Sequence, residues 1–203
     1  MTDRLPSTPE GIADAAALLR EGGLVAFPTD TVYGVACAAS RADRLEALFE
    51  LKRRPLDRRI PMLVAGIGAV PDGWQVDERA RALAGALWPG ALTLVLPATD
   101  GGDSQAFRAP DHAVALDLIR AAGPLYATSA NVSDEPDTLD ADDVLIAFAT
   151  RPDELAAVVD GGRVPGGVAS TVVQLVTTPA RVLRDGPVTR DRLAEVVSLA
   201  ADG

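Results

Sequence analysis

Short apolar runs alternate with amphipathic stretches along most of this chain, and that alternation limits it to a layered α/β fold. Leu24-Val25-Ala26-Phe27 is one such run, closed by Pro28. Pro61 to Val64, Ala91 to Leu96, Leu125 to Thr128 and Ala156 to Val159 are others. Between them the apolar spacing becomes helical. Ile12, Ala15, Ala16 and Leu19 share one face of a helix that begins at Thr8-Pro9 and stops at Gly22-Gly23. A hydroxyl cap followed by proline is a helix start signal. Leu45, Leu48, Phe49 and Lys52 share a second face. Ala80, Leu83, Ala84 and Leu87 share a third, in a helix over Asp77 to Leu87. Helices are also predicted over Asp111 to Ala122, Asp140 to Ala149 and Thr189 to Leu199. Val172 to Val176 and Arg181 to Leu183 read as strands close enough to form an antiparallel pair.

The length of 203 residues suits one domain with a full core. That core must be built from Ala, Val and Leu, because only 4% of the chain is aromatic. The single cysteine, Cys37, rules out an internal disulfide and sits among small residues as a core position. The single histidine, His112, follows Pro110-Asp111 at a helix start and reads as a cap-region surface residue rather than a base. No apolar run approaches the roughly 20 residues of a membrane span, and the first ten residues are polar, with Pro6 and Pro9. The expectation is a soluble cytoplasmic protein with no membrane association. A net charge of −10 disfavours binding nucleic acid by charge alone.

Against that acidic background, five of the nineteen Lys and Arg residues fall together: Lys52, Arg53, Arg54, Arg58 and Arg59. They lie between a predicted helix and a predicted core strand, so the fold holds them in place and can aim them. Polar clusters follow two of the apolar runs, at Pro28 to Gly34 and Ser129 to Ser133. Ser170-Thr171, after the glycine pairs Gly161-Gly162 and Gly166-Gly167, is a third. Any one cluster is ordinary turn chemistry. Three of them with a cationic loop point to one cleft for an anionic small molecule, since Arg and Lys neutralise phosphates and hydroxyls orient them. Neither the Walker loop nor the dinucleotide glycine fingerprint is present. The acidic run around Asp134 to Asp143 reads as a solvated, helix-capping stretch, and no metal site is predicted.

These blocks, in this order, resemble the YrdC-type threonylcarbamoyl-AMP synthase family. The resemblance is carried by Phe27 to Gly34, Lys52-Arg53-Arg54-Pro55, Trp88 to Thr93, Arg108 to His112, Ser129 to Ser133, Ser170 to Val173 and Leu183 to Gly186. It implies a YrdC-like fold, a twisted sheet of mixed parallel and antiparallel strands with flanking helices and a concave cationic face. It implies a single YrdC-like catalytic domain over residues 1–203, the short form of the family. The implied activity is a nucleotidyltransferase reaction: L-threonine, bicarbonate and ATP give L-threonylcarbamoyl-AMP and pyrophosphate, with Mg2+ arriving with ATP. The implied partner is the transferase complex that carries the threonylcarbamoyl group onto tRNA.

Position by position, the resemblance assigns Lys52 and Arg54 to the ATP phosphates and the chemistry. It adds Arg58, Ser104, Ser129, Asn131 and Arg184 to the nucleotide, and gives threonine to Thr31, Arg108, the Ala127 backbone and Ser170. The chain departs from the pattern at Leu63, where family members often carry His, and at Asp134 and Asp137. The alternative is a paralogue of the same fold that binds RNA or nucleotide without this reaction. The cationic loop also allows weak RNA binding.

Overall fold

The computed structural model describes residues 2–53, 60–133, 135–151 and 153–201. Along the chain the elements are β1 (Asp3–Pro6), α1 (Pro9–Glu21), β2 (Val25–Pro28), β3 (Tyr33–Ala38), α2 (Leu45–Lys52) and β4 (Met62–Leu63). There follow α3 (Glu78–Leu87), β5 (Leu92–Pro97), β6 (Ser104–Arg108), α4 (Ala113–Ala122) and β7 (Leu125–Ser129). The last are α5 (Ala141–Ala147), β8 (Ala157–Asp160), β9 (Thr171–Gln174), β10 (Arg181–Arg184) and α6 (Arg190–Ala194).

The strands form one mixed sheet in the order β1-β8-β2-β3-β7-β4-β6-β5-β9-β10. β1, β8 and β2 run parallel, as do β4 with β6 and β5 with β9. The other neighbours are antiparallel.

The capping signals act where the sequence places them. Thr8 Oγ1 accepts from the Gly11 N–H at 3.3 Å, and Asp77 Oδ1 accepts from the Ala80 N–H at 2.9 Å. Each satisfies a donor that the first helical turn leaves unpaired. The apolar helical faces then cover the sheet unequally. On one side α1 and α4 pack over β2, β3, β7 and β8 through Leu19, Phe27, Ala36, Leu118 and Leu125. On the other side α2 and α5 cover the first half, through Leu48, Val35 and Val144. There α3 and α6 cover the second half, through Leu83, Leu94, Phe107 and Leu193.

Three strands lie outside the sequence expectation. β3 is buried at all six positions, and Gly34, Ala36, Cys37 and Ala38 are too small to mark it as a strand. It is a central strand covered on both faces, which removes the alternation that periodicity needs. β1 is a mostly exposed edge strand of four residues, too short to show a pattern, placed by pairing with β8. β6 has one fully buried residue, Phe107. The terminal helix is shorter than predicted. Thr189 caps α6, but the helix ends at Ala194, and Leu199 bridges Ala180 as extended backbone. Among the described residues, no helix is long and apolar enough to cross a membrane.

Candidate active site

A cavity of about 430 Å³ lies on the sheet face that α1 and α4 only partly cover. That size is in the range of small-molecule sites. Much of its wall follows the strand period of two. Pro61 with Leu63, Ala106 with Arg108, Ala127 with Ser129, and Ser170 with Val172 all turn inward. Register aligns them: Leu63 pairs with Arg108, Thr93 with Val172, and Gly34 with Ser129. Leu63 and Ala127 belong both to this wall and to the core under α1 and α4. On β6, β5 and β9 the opposite face packs against α3 and α6, and the near face is left to the cavity.

One end of the cavity is built around two guanidinium groups. Arg108 Nε donates to the Gly90 carbonyl at 3.0 Å, and its Nη2 donates to Asp30 Oδ2 at 2.6 Å. Arg184 Nε donates to the Ser170 carbonyl at 3.0 Å, and its Nη2 donates to Ser170 Oγ at 3.2 Å. Ser170 Oγ also shares a hydrogen bond of 2.8 Å with Thr93 Oγ1. Burial, then the like charge of Arg108, push the Arg184 guanidinium below its ordinary value. Two cations facing one cavity repel each other and attract an anion placed between them.

A bulge explains how Arg184 reaches this position. Val182 pairs with Val173, yet Arg184 rather than Leu183 stands opposite Val172. The extra residue re-aims the strand. It turns Arg184 to the cavity face and leaves Leu183 53% exposed. Gly186 follows, and a side chain there would meet the Thr171 amide nitrogen at 2.4 Å and the Ala169 carbonyl oxygen at 2.6 Å.

The other end is anchored by a buried cation. Lys52 is the last residue of α2 and only 3% exposed. Its ammonium donates to Ser129 Oγ and to Asn131 Oδ1, each at 3.1 Å, and to the Ser129 carbonyl. Ser129 Oγ in turn donates to Asn131 Oδ1 at 2.7 Å, and Asn131 Nδ2 donates to the Glu135 carbonyl at 2.7 Å. A cation held by three oxygens at the end of β7 is fixed beside the cavity wall that Ser129 forms.

Comparison with known proteins decides the family. The Sua5_yciO_yrdC family model, described as telomere recombination, matches residues 17–186. The chain belongs to the Sua5/YrdC family. A Bacillus subtilis protein of this family, threonylcarbamoyl-AMP synthase, is 39% identical over 208 residues. The match takes in 97% of this chain and 59% of that protein. A threonylcarbamoyl-AMP synthase of Xanthomonas campestris is 33% identical over 200 residues, 92% of this chain and all of that protein. Among solved structures, P. abyssi Sua5 complexed with L-threonine superposes with a TM-score of 0.86 at 32% identity. It takes in 98% of this chain, which spans 62% of the P. abyssi chain. The Sua5/YrdC chain therefore has the YrdC-like mixed sheet with flanking helices.

Within this Sua5/YrdC fold, Thr31, Arg108, Ala127, Ser129, Ser170 and Arg184 all line the one cavity. Lys52 and Asn131 join it through Ser129. Ser104 begins β6, roughly 13 Å along the strand from Arg108, and is not part of the cavity wall. Arg54, Arg58 and Asp134 lie outside the described residues. Leu63 gives an apolar patch of the wall.

Asp30, Thr29 and Thr93 were not singled out from the sequence. Thr93 carried a signal: it is a polar residue alternating with Leu92 and Leu94 in a core strand. Asp30 lies in the Phe27 to Gly34 block, but an acidic residue between two threonines reads as a turn, and the block assigns it no role. His112 stands at the N-cap position of α4 without a side-chain capping bond and is more enclosed than the surface position expected of it, with its Nδ1 buried and without a hydrogen-bond partner among the described residues. Cys37 is a core residue as expected, and burial pushes its thiol up to about 11, which keeps it protonated and a poor nucleophile near neutral pH. Among the described residues, no group of three or more His, Cys, Asp or Glu is disposed to hold a metal ion.

Proposed function

We propose that this chain is an L-threonylcarbamoyladenylate synthase working in the cytoplasm. The observation that carries the reading is one cavity with a cationic end, Arg108 and Arg184 with Ser170 and Thr31, and with the Lys52 cation fixed beside its wall by Ser129 and Asn131. The likeness to P. abyssi Sua5, a protein whose structure holds L-threonine, supports it.

In this reading Arg108 takes the threonine carboxylate. Thr31, Ser170 and the Ala127 backbone orient the amino acid. The amine of threonine adds to bicarbonate with loss of water and becomes a carbamate. A carbamate oxygen then attacks the α-phosphorus of ATP. The bond from that phosphorus to the bridging oxygen breaks, and pyrophosphate leaves with the electron pair. Lys52, with Ser129 and Asn131 fixing it, stabilises charge on the phosphates, and Arg184 lies along the nucleotide. Arg54, Arg58 and Ser104 are assigned to the nucleotide on the family resemblance alone. Mg2+ enters with ATP as part of the substrate, bound by phosphate oxygens. Such a step needs positioning and charge neutralisation more than a protein nucleophile. The product passes to a transferase that modifies tRNA.

The test is pyrophosphate release from ATP in bicarbonate buffer, with and without L-threonine. The expected result is release that depends on threonine, with threonylcarbamoyl-AMP identified by mass. Release that ignores threonine, or none at all, overturns the reading. RNA affinity that falls steeply with salt, with no pyrophosphate released, supports the non-enzymatic paralogue instead.

A further inference from the structure

We infer that Asp30 decides which ligand Arg108 takes, holding that guanidinium for a monocarboxylate and against polyphosphate. The inference rests on the synthase reading above. Its starting point is a difficulty in that reading. Arg108 and Arg184 face the same cavity, and two guanidinium groups side by side form a strong site for any polyanion. ATP and pyrophosphate are polyanions, whereas threonine offers one carboxylate.

Asp30 answers this from behind the wall. It does not line the cavity, but its Oδ2 accepts from Arg108 Nη2 at 2.6 Å. The two side chains are 15% and 13% exposed, so water screens the pair weakly. With the Gly90 carbonyl taking Nε, the guanidinium is fixed on two sides. Two of its five N–H donors are used in these bonds, and the rest are available to a ligand carboxylate. The charge Arg108 presents is also offset at its source, so Arg184 and Lys52 become the stronger attractors for phosphate.

The second oxygen of Asp30, Oδ1, is buried and has no hydrogen-bond partner among the described residues. A half-satisfied buried carboxylate costs stability. The turn that presents it is built by its neighbours: Thr29 Oγ1 accepts from the Thr31 N–H at 3.2 Å and donates to the Val32 carbonyl at 2.6 Å. Asp30 acts only through Arg108 and is a positioning residue.

The test compares the wild type with Asp30→Asn and Asp30→Glu. L-threonine and inorganic pyrophosphate are each titrated by calorimetry, and steady-state KM values are taken for threonine and ATP. For Asp30→Asn, threonine affinity should fall about tenfold. Pyrophosphate should bind more tightly and compete with threonine, while the KM for ATP changes by less than about twofold. Asp30→Glu keeps the charge, so it should lose threonine affinity without gaining pyrophosphate affinity.

Unchanged titrations in a folded Asp30→Asn protein overturn the inference. So does a loss of threonine binding with no gain for pyrophosphate, which is what a merely structural residue gives. If Asp30→Asn does not fold, Asp30→Glu carries the test, and any gain of pyrophosphate affinity in it overturns the inference. A wild type that binds no threonine overturns the synthase reading. The role of Asp30 is then judged on pyrophosphate alone: tighter binding in Asp30→Asn supports it, and equal binding overturns it.

Discussion

The Lys52 ammonium lies 3.1 Å from Asn131 Oδ1, inside a side chain that is almost fully buried. A cation kept this deep is held for a partner, because moving an ammonium out of water is costly. Lys52→Met keeps the stem and removes the charge. In the synthase reading it should lower the rate of pyrophosphate release by about a hundredfold, or roughly 3 kcal/mol of transition-state stabilisation. It should also lower unfolding stability in urea by about 1–3 kcal/mol, since Ser129 and Asn131 each lose a charged donor. A variant that keeps at least half of the wild-type rate removes Lys52 from the chemistry.

Thr93 and Ser170 test the opposite end. Their hydroxyls are 2.8 Å apart, and Arg184 donates to the same Ser170 oxygen. Thr93→Val is close in shape and removes one hydroxyl. Ser170 then loses the contact that orients it, and the KM for threonine should rise about fivefold, equivalent to roughly 1 kcal/mol. The melting temperature should move little, because the strand register that holds Thr93 opposite Val172 is backbone-made. A lower melting temperature with an unchanged KM would assign Thr93 to the core alone.

Gly186 is constrained by its neighbours rather than by its own backbone. Any side chain there meets the backbone of Ala169, Ser170 and Thr171. Gly186→Ala must therefore push apart the segment that carries Ser170 and the strand end that carries Arg184. The expected cost in urea unfolding is about 1–3 kcal/mol. Threonine and nucleotide binding should weaken together, since both ends of that contact line the cavity. A variant of wild-type stability and affinity would show that the two segments can separate freely.

How much of this was legible depends on what kind of force placed each residue. Caps and amphipathic faces are local, so α1 and α3 could be read from Thr8-Pro9 and Asp77 nearly to the residue. β3 was hidden because small buried residues carry no strand pattern of their own, and only its neighbours β2 and β7 define it. The cavity wall was partly legible. Thr31, Arg108, Ser129 and Ser170 sit in blocks that the family resemblance marks. Their convergence comes from sheet order, which brings β7, β4, β6, β5 and β9 side by side from distant parts of the chain. Arg184 depends on a bulge that no spacing announces. Asp30 sits in a marked block too, but its role was illegible because it lies in a contact with a residue seventy-eight positions away.

His112 gives the chain a predictable sensitivity to acid. It stands at the start of α4 with Nδ1 buried, and burial lowers its pKa below the ordinary 6.5. The nearby charges of Asp30 and Asp111 raise it again, but by less than burial lowers it. With the folded pKa below the unfolded one, the unfolded chain binds more protons between the two values. The contribution of neutral His112 is therefore fully present above about pH 6.5 and is lost as pH falls through the folded value. His112→Gln removes the titration while keeping a polar side chain of similar reach. In urea unfolding, the stability difference between wild type and His112→Gln should shift against the wild type between pH 8 and pH 5. The two profiles should run parallel above pH 7. Parallel profiles across the whole range would mean that His112 is as well solvated folded as unfolded, and that its buried Nδ1 meets water in solution.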